Sequence, residues 1–359
     1  MTNQRLLIGV LTVLTAVGLC WQEPAIGALP PGNAIKDPTT ILRNTLPIKE
    51  QKELRQLQTK LEETNRDVKG NRWNGLAEVA SSSQFLESSR KQNILNAISA
   101  DKKQIGETLL NKLEVDLQEL SDEVNKKDKD GFIKARNISL NQIGELEGLL
   151  KVEEFPYLIP SEFNSLPRLL GRATVVIKTN KGEMKAIIDG YNAPLTAGAF
   201  IDLSLKGFYD GLPITRAEDF YILQSGDPEG PEMGYIDPKT NEERHVPLEI
   251  RIPDQQNTLY NQTFEDVGLY KATPTLPFST LGTLGWAHSN DQLDDGSSQF
   301  FFFLYEPELT PAGLNLIDGR NAAFGYVIEG FNVLEKLSIE DQILSIKVID
   351  GADLLKENA

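Results

Sequence analysis

The stretch "GSSQFFFFLY", residues 296–305, sets four phenylalanines in a row inside a chain of 359 residues whose formal net charge is -16. A helix would spread those rings all round its axis, whereas a strand sends successive side chains to opposite faces. Read as a strand, the stretch places Gln299, Phe301 and Phe303 on one face and Ser298, Phe300, Phe302 and Leu304 on the other. Both faces then need apolar cover. A closed barrel with something packed outside it supplies that cover.

Length and composition allow two or three domains with ordinary cores, since 40% of the residues are apolar. With 36 basic against 52 acidic residues and no Lys/Arg cluster, the chain is unsuited to the phosphate backbone of nucleic acid. Its first residues combine a polar start with Arg5, an apolar run from Leu6 to Leu19 and a small residue at Ala28. This reads as a cleaved secretory signal over residues 1–28. The run is shorter than the roughly 20 residues a membrane span needs, so association with a membrane is peripheral at most. Cleavage removes one base, Arg5, one acid, Glu23, and the only cysteine, Cys20. Neither a disulfide nor a thiol nucleophile is then possible.

Residues 29–48 are rich in proline and turn formers and read as an extended arm. Residues 49–154 read as a helical bundle domain: Leu54, Leu57 and Leu61, then Leu110, Leu113, Leu117, Leu120 and Val124, recur at helical spacing among charged residues. The leucine row spans only about two heptads, which favours packing within the chain over a dimerising coiled coil. "FPYLIPSEFNSLPRLLG" carries three prolines, and residues 155–170 read as a linker. Residues 171–359 are strand-like, with a hairpin around Lys181 and Gly182, a short helix entered at Pro194 and a last helical stretch near Phe331 to Leu337. The fold class is therefore multi-domain, an all-α bundle followed by an antiparallel β-barrel flanked by helices.

Several chemistries are missing. Two histidines, His245 and His288, and no mature cysteine leave little for a zinc site, and no phosphate loop, nucleophile elbow or dinucleotide turn occurs. Neither a metal nor a cofactor is expected.

From Gly211, "GLPITRAEDFYILQSGD", then "LGWAHS", "SSQFFFF" and "IDGRNAAFGYV", four segments in order resemble the cyclophilin family of peptidyl-prolyl isomerases. The resemblance covers about residues 171 to 354 and implies a closed, eight-stranded antiparallel barrel capped by helices. Phe300 and Phe302 would fill its interior, while Phe301 faces a substrate groove. The helical region ahead of it, with "ALPPGNAI", resembles the large thylakoid-lumen cyclophilins of plants and cyanobacteria, and the short signal points to a cyanobacterial source.

The resemblance makes Arg216 the catalytic arginine, eight residues ahead of Gln224, which would hold a substrate carbonyl. Ile222, Phe301 and Ile317 would wall the proline ring. Trp286, Ala287 and His288 fall where the family contacts the peptide backbone, Trp286 replacing a methionine, and Gln299 sits in the S-Q-F-F motif. Tyr221 stands where the family has a pocket phenylalanine, or Phe220 does if the register slips by one; Asn321 replaces the usual histidine and Leu316 the usual tryptophan. The segment after Asp227 is long and carries "YIDPKTNEERHVPLEIRIPDQQN" beside the groove.

X–Pro isomerisation must break amide resonance, a barrier of about 20 kcal/mol. An arginine donating to the proline nitrogen helps, because that lone pair becomes available only as the bond twists. Two functions compete. One is an exported isomerase acting on proline-containing clients in the thylakoid lumen or periplasm; the other is an assembly chaperone or scaffold for photosystem II subunits that isomerises nothing. In both, the bundle is expected to contact the barrel within the chain and to cover the groove.

Cleavage after Ala28 predicts that the mass of the purified mature chain corresponds to a start at Leu29; an N-terminus at Met1 would contradict it.

Overall fold

The computed structural model describes residues 37–47, 51–150, 155–218, 221–255, 257–270, 272–304 and 317–357. The proposed signal, residues 1–28, lies outside them. The first element among the described residues is α1 (Pro38–Thr45), inside the segment expected to be an extended arm. It is a helix because Asp37 caps it, accepting from Thr39 N–H at 3.0 Å, and Pro38 occupies the first turn, where its missing N–H costs nothing.

The bundle follows as α2 (Lys52–Glu62), α3 (Asn65–Lys69), α4 (Trp73–Ala97), α5 (Lys103–Lys126) and α6 (Lys129–Gly148). Leu54, Leu57 and Leu61 of α2 and Leu110, Leu113, Leu117 and Leu120 of α5 are all buried in one core with Phe132 and Ile143 of α6. The leucine row thus packs within the chain. Asp128 starts α6 by accepting from Asp130 and Gly131 N–H, at 3.0 and 3.1 Å.

The second unit begins with β1 (Arg168–Leu169), β2 (Arg172–Thr179) and β3 (Gly182–Asp189), then α7 (Pro194–Leu205), β4 (Ile214–Glu218) and β5 (Ile222–Ser225). Four short strands occupy the long segment that follows, β6 (Ile236–Asp237), β7 (Glu242–Glu243), β8 (Glu249–Arg251) and β9 (Thr258–Tyr260). Then come β10 (Thr283–Trp286), β11 (Phe300–Phe303), β12 (Ala323–Glu329), α8 (Phe331–Leu334), β13 (Ile343–Asp350) and β14 (Leu355–Lys356), the last paired with β1.

Eight strands form one antiparallel sheet in the order β13-β2-β3-β12-β10-β11-β5-β4. The closed barrel expected from sequence is here a curled half-barrel. Its edge regions meet at one end, where Gly211 and Ile214 N–H donate to the carbonyls of Ile343 and Asp341 at 2.7 and 2.9 Å, and Ile343 N–H returns a bond to Leu212 at 2.8 Å. A bulge between Ile214 and Arg216 then breaks the register of β4, whose Thr215, Arg216 and Glu218 are exposed.

All four residues of the phenylalanine strand are buried. Phe300 packs edge-on against Phe200 of α7 at 5.1 Å and against Tyr209 at 5.3 Å, and Phe302 against Phe300 at 5.5 Å. Helix α7 therefore plugs the concave side, which is why every residue from Pro194 to Ser204 is buried.

The long segment does not simply lie beside the groove. Val246, Leu248, Ile250 and Ile252 join the barrel core, and Glu249, between them, turns its carboxylate to the start of α7. There Oε2 accepts from Leu195 and Thr196 N–H at 3.0 and 3.1 Å and from the Thr196 hydroxyl at 3.2 Å. A helix N-terminus is a favourable place for a carboxylate, and this one ties the segment down.

The two units have separate cores, bridged by α1. Ile41 and Leu42 sit in the barrel core, and on the same side Asn192 Nδ2 donates to Thr45 O at 3.1 Å and Arg172 Nη2 to Thr45 Oγ1 at 3.2 Å. From the bundle, Arg55 Nη2 donates to Leu46 O at 2.6 Å, and its Nη1 stands 3.4 Å from buried Glu147 of α6.

Burial pushes both Glu147 and Glu249 up to about 7 from 4.5. A carboxyl whose pKa is raised on folding binds more protons folded than unfolded, so its contribution to stability declines as pH rises from about 4.5 to about 7, by on the order of 3 kcal/mol per group. Chemical denaturation of the wild type and Glu249→Gln at pH 5 and pH 8 should show the variant losing less stability between the two; equal losses would contradict the buried-carboxyl account.

Candidate active site on the convex sheet face

Register places the expected site residues. Arg216 pairs with Gln224, Gln224 with Phe301 and Phe301 with Gly285, so a row crosses β4, β5, β11 and β10 on the face away from α7. Directly paired residues in antiparallel strands share a face. One step along, Glu218, Ile222 and Phe303 make the next row.

Phe301 needs a hollow, and Gly285 provides it: a Cβ there would stand 2.2 Å from Phe301 Cζ and 2.8 Å from Phe278 Cε1. Phe278 lies nearly parallel to Phe301, ring centres 5.7 Å apart and planes 13° from each other. Phe301, Ile222 and Ile317 are buried, each no more than 5% exposed. The cover expected from the helical bundle is thus supplied over Phe301 by Phe278, from the segment leading into β10. The bundle instead meets this unit through α1, at Arg172 and Asn192.

Polar groups flank that floor. Gln224 Nε2 donates to Gln299 Oε1 at 2.7 Å, and Gln299 Nε2 donates to Asp227 Oδ1 at 3.1 Å and Met233 O at 2.8 Å. The relay fixes both amides and spends one of the two N–H donors of Gln224. Burial raises Asp227. Arg216 is half exposed and its Nε donates to Glu218 Oε1 at 2.7 Å, with Nη2 on the same oxygen.

The far side of the site is made by two loops held together. His288 Nε2 faces Arg320 O at 2.9 Å, Ala287 N–H donates to Gln299 O at 3.0 Å, and Asn321 Nδ2 donates to Trp286 O at 3.4 Å. Ala287, His288 and Asn321 are partly exposed at this edge. Tyr221 is 39% exposed and meets Phe303 edge-on at 6.0 Å. Its hydroxyl is raised by burial and the neighbouring Glu218, with Arg216 opposing.

One expected site residue faces the other way. Trp286 alternates with Gly285 along β10, so it shares the concave side with Phe300, where it is 2% exposed and lies edge-on to Phe324 at 5.8 Å. It belongs to the core and does not line the groove. Leu316 and Phe220 lie outside the described residues. Sequence reasoning missed Phe278 and Gly285. Phe278 sits in the long segment without a motif, and Gly285 becomes informative only once its pairing with Phe301 is known.

Comparison with known proteins now decides the family. The cyclophilin-type peptidyl-prolyl cis-trans isomerase family matches residues 174–350, and the PsbQ-like domain of the CYP38-like isomerases matches residues 37–150. A Synechocystis protein named as a thylakoid lumen peptidyl-prolyl cis-trans isomerase is 44% identical over 99% of this chain and 96% of its own. This chain is a cyclophilin-type peptidyl-prolyl isomerase family member. The chloroplastic isomerase CYP38 of Arabidopsis thaliana is 38% identical over 92% of this chain and 78% of its own, and CYP37 of the same plant is 32% identical over 74% and 59%. The resemblance read from the four motifs and the helical region is therefore correct, and the candidate site lies within the residues matched by the cyclophilin family.

Gly285→Val should lower the stability of the cyclophilin domain by about 1–3 kcal/mol, because the added branches meet two rings with nowhere to go. Urea denaturation checks it; an unchanged midpoint would mean that the Phe301–Phe278 stack yields freely.

Proposed function

We propose that the chain is an exported peptidyl-prolyl cis-trans isomerase of the thylakoid lumen, acting on proline-containing segments of lumenal and photosynthetic membrane proteins, photosystem II subunits among them. The observation that carries the reading is the row of Arg216, Gln224 and Phe301 on one sheet face, in register across three strands. That row sets a guanidinium, an amide and an apolar ring along one line, as a twisted prolyl bond requires. Arg216 would donate to the proline nitrogen, Gln224 would hold the neighbouring carbonyl with its second N–H, and Phe301, Ile222, Ile317 and Tyr221 would take the proline ring. Ala287, His288, Gln299 and Asn321 would border the peptide backbone. The lumenal location is supported by the name of the Synechocystis relative, with the Arabidopsis relative named as chloroplastic, and the client class by the PsbQ-like name of the matched helical domain. Among the described residues no helix is long and apolar enough to cross a membrane.

A second reading, a chaperone or scaffold that binds clients without isomerising them, is favoured by two features. The apolar floor lies buried under Phe278, and Arg216 is engaged by Glu218. The two readings separate on one variant. Arg216→Ala should lower kcat/KM for an X–Pro tetrapeptide in a protease-coupled assay by tenfold or more, about 1.4 kcal/mol of transition-state stabilisation, with unchanged circular dichroism. A folded variant with wild-type activity would remove Arg216 from the mechanism. A wild type that binds the peptide and never accelerates it would support the scaffold.

A further inference from the structure

Glu218 is the unexplained part of this site. It sits on the Arg216 face of β4, two residues along, and takes two N–H groups of that guanidinium on one oxygen. From the geometry we infer that Glu218 determines substrate preference: it holds the guanidinium back from neutral and acidic peptides and yields it to peptides with a basic residue beside the proline. The inference rests on the isomerase reading above and deepens it.

Three observations carry it. First, the pair is exposed, at 53% for Arg216 and 44% for Glu218, so the bond is weak enough for a substrate to open. Second, side chains two apart on a strand are about 7 Å apart, and an extended peptide advances about 3.3 Å per residue. A prolyl nitrogen at Arg216 therefore sets the next one or two residues of the peptide over Glu218. Third, among the described residues Arg216 is the one ion-pair partner of Glu218. On its own strand the facing charge is Arg216, across the sheet its paired residue is the apolar Ile222 of β5 with Phe303 of β11 beyond it, and Tyr221 stands in the turn between β4 and β5. When the guanidinium turns to the peptide, the Glu218 carboxylate loses its partner, and a lysine or arginine of the substrate replaces it. A glutamate of the substrate would instead meet a like charge. The formal net charge of -16 adds long-range attraction of the same sign.

NMR exchange spectroscopy on two peptides, Gly-Lys-Pro-Lys-Gly and Gly-Glu-Pro-Glu-Gly, tests this with the mature wild type, Glu218→Gln and Arg216→Ala. The wild type should favour the basic peptide in kcat/KM by about tenfold at low salt, and 0.5 M NaCl should shrink that preference. Glu218→Gln should leave no more than about twofold preference while accelerating the acidic peptide by up to about fivefold, the worth of one exposed ion pair. A folded Glu218→Gln that keeps the wild-type preference overturns the inference, even if Arg216→Ala is inactive and the isomerase reading stands. Should the wild type prove inactive, that reading fails instead, and the ratio of the two peptides' Kd values decides. A basic preference lost in Glu218→Gln upholds the role of Glu218, and no preference, or one that survives the substitution, overturns it.

Discussion

The structure turns on the demand of a four-residue strand to be dry on both sides. Burying a phenylalanine side chain is worth about 1.5–3 kcal/mol, so β11 gains from cover on each face and loses wherever a face meets water. The concave cover is α7, whose Phe200 meets Phe300 edge-on. The convex cover is narrower. Gly285 removes a side chain at the position paired with Phe301, and Phe278 stacks on the exposed face of the ring that results. The apolar part of the site is therefore a product of core packing, set by what β11 must bury, and the polar groups are added at its margins.

Those margins are polar because they fall where the sheet runs out. Beyond β11 lie β5 and then β4, an edge strand broken by a bulge, and Arg216 stands on it half in water. A fully buried guanidinium would need a permanent counter-charge. An exposed one can change partners, from Glu218 to a peptide, at a cost of less than about 1 kcal/mol. The position that makes Arg216 available also makes its hydrogen bond weak until a bound peptide displaces the water around it.

Much of this was legible in the sequence. The phenylalanine run, the leucine spacing of α5 and the proline at the start of α7 each express one periodicity or one cap, and periodicity survives without tertiary knowledge. What was not legible depended on long-range partners. The segment holding Glu249 and Arg251 reads as an insertion beside the groove, yet both residues are buried. Glu249 is kept by the N–H groups of α7, some 54 residues away in sequence, and Arg251 by the ring of Tyr157, 3.1 Å from its guanidinium carbon. A charged residue reads as exposed until its partner is known. Trp286 was misplaced for a related reason, since motif position fixed its number and strand alternation fixed its face. The closed barrel is another case: strand count is visible in sequence, but how the edges meet is not, and here they bond at one end, through Gly211, Leu212 and Ile214 with Asp341 and Ile343.

The helix α1 shows how a short segment can join two units: it falls within the PsbQ-like match over residues 37–150, yet its apolar residues enter the core of the other unit. Only Ile41 and Leu42 enter the barrel core, while Arg43, 4% exposed, lies among Thr39, Thr40 and Glu62. Its C-terminal carbonyls are taken from both sides: Arg55 of the bundle bonds the carbonyls of Arg43 and Leu46, and Asn192 of the cyclophilin domain bonds that of Thr45. Orphan carbonyls at a helix end require partners, so satisfying this end couples the two units through backbone groups that no side-chain substitution in α1 removes. Asn192 also lines, with Glu249 and Asn321, a cavity of about 10 Å³, room for a single water. The residue that bonds α1 and a residue at the rim of the candidate site thus border one small polar space.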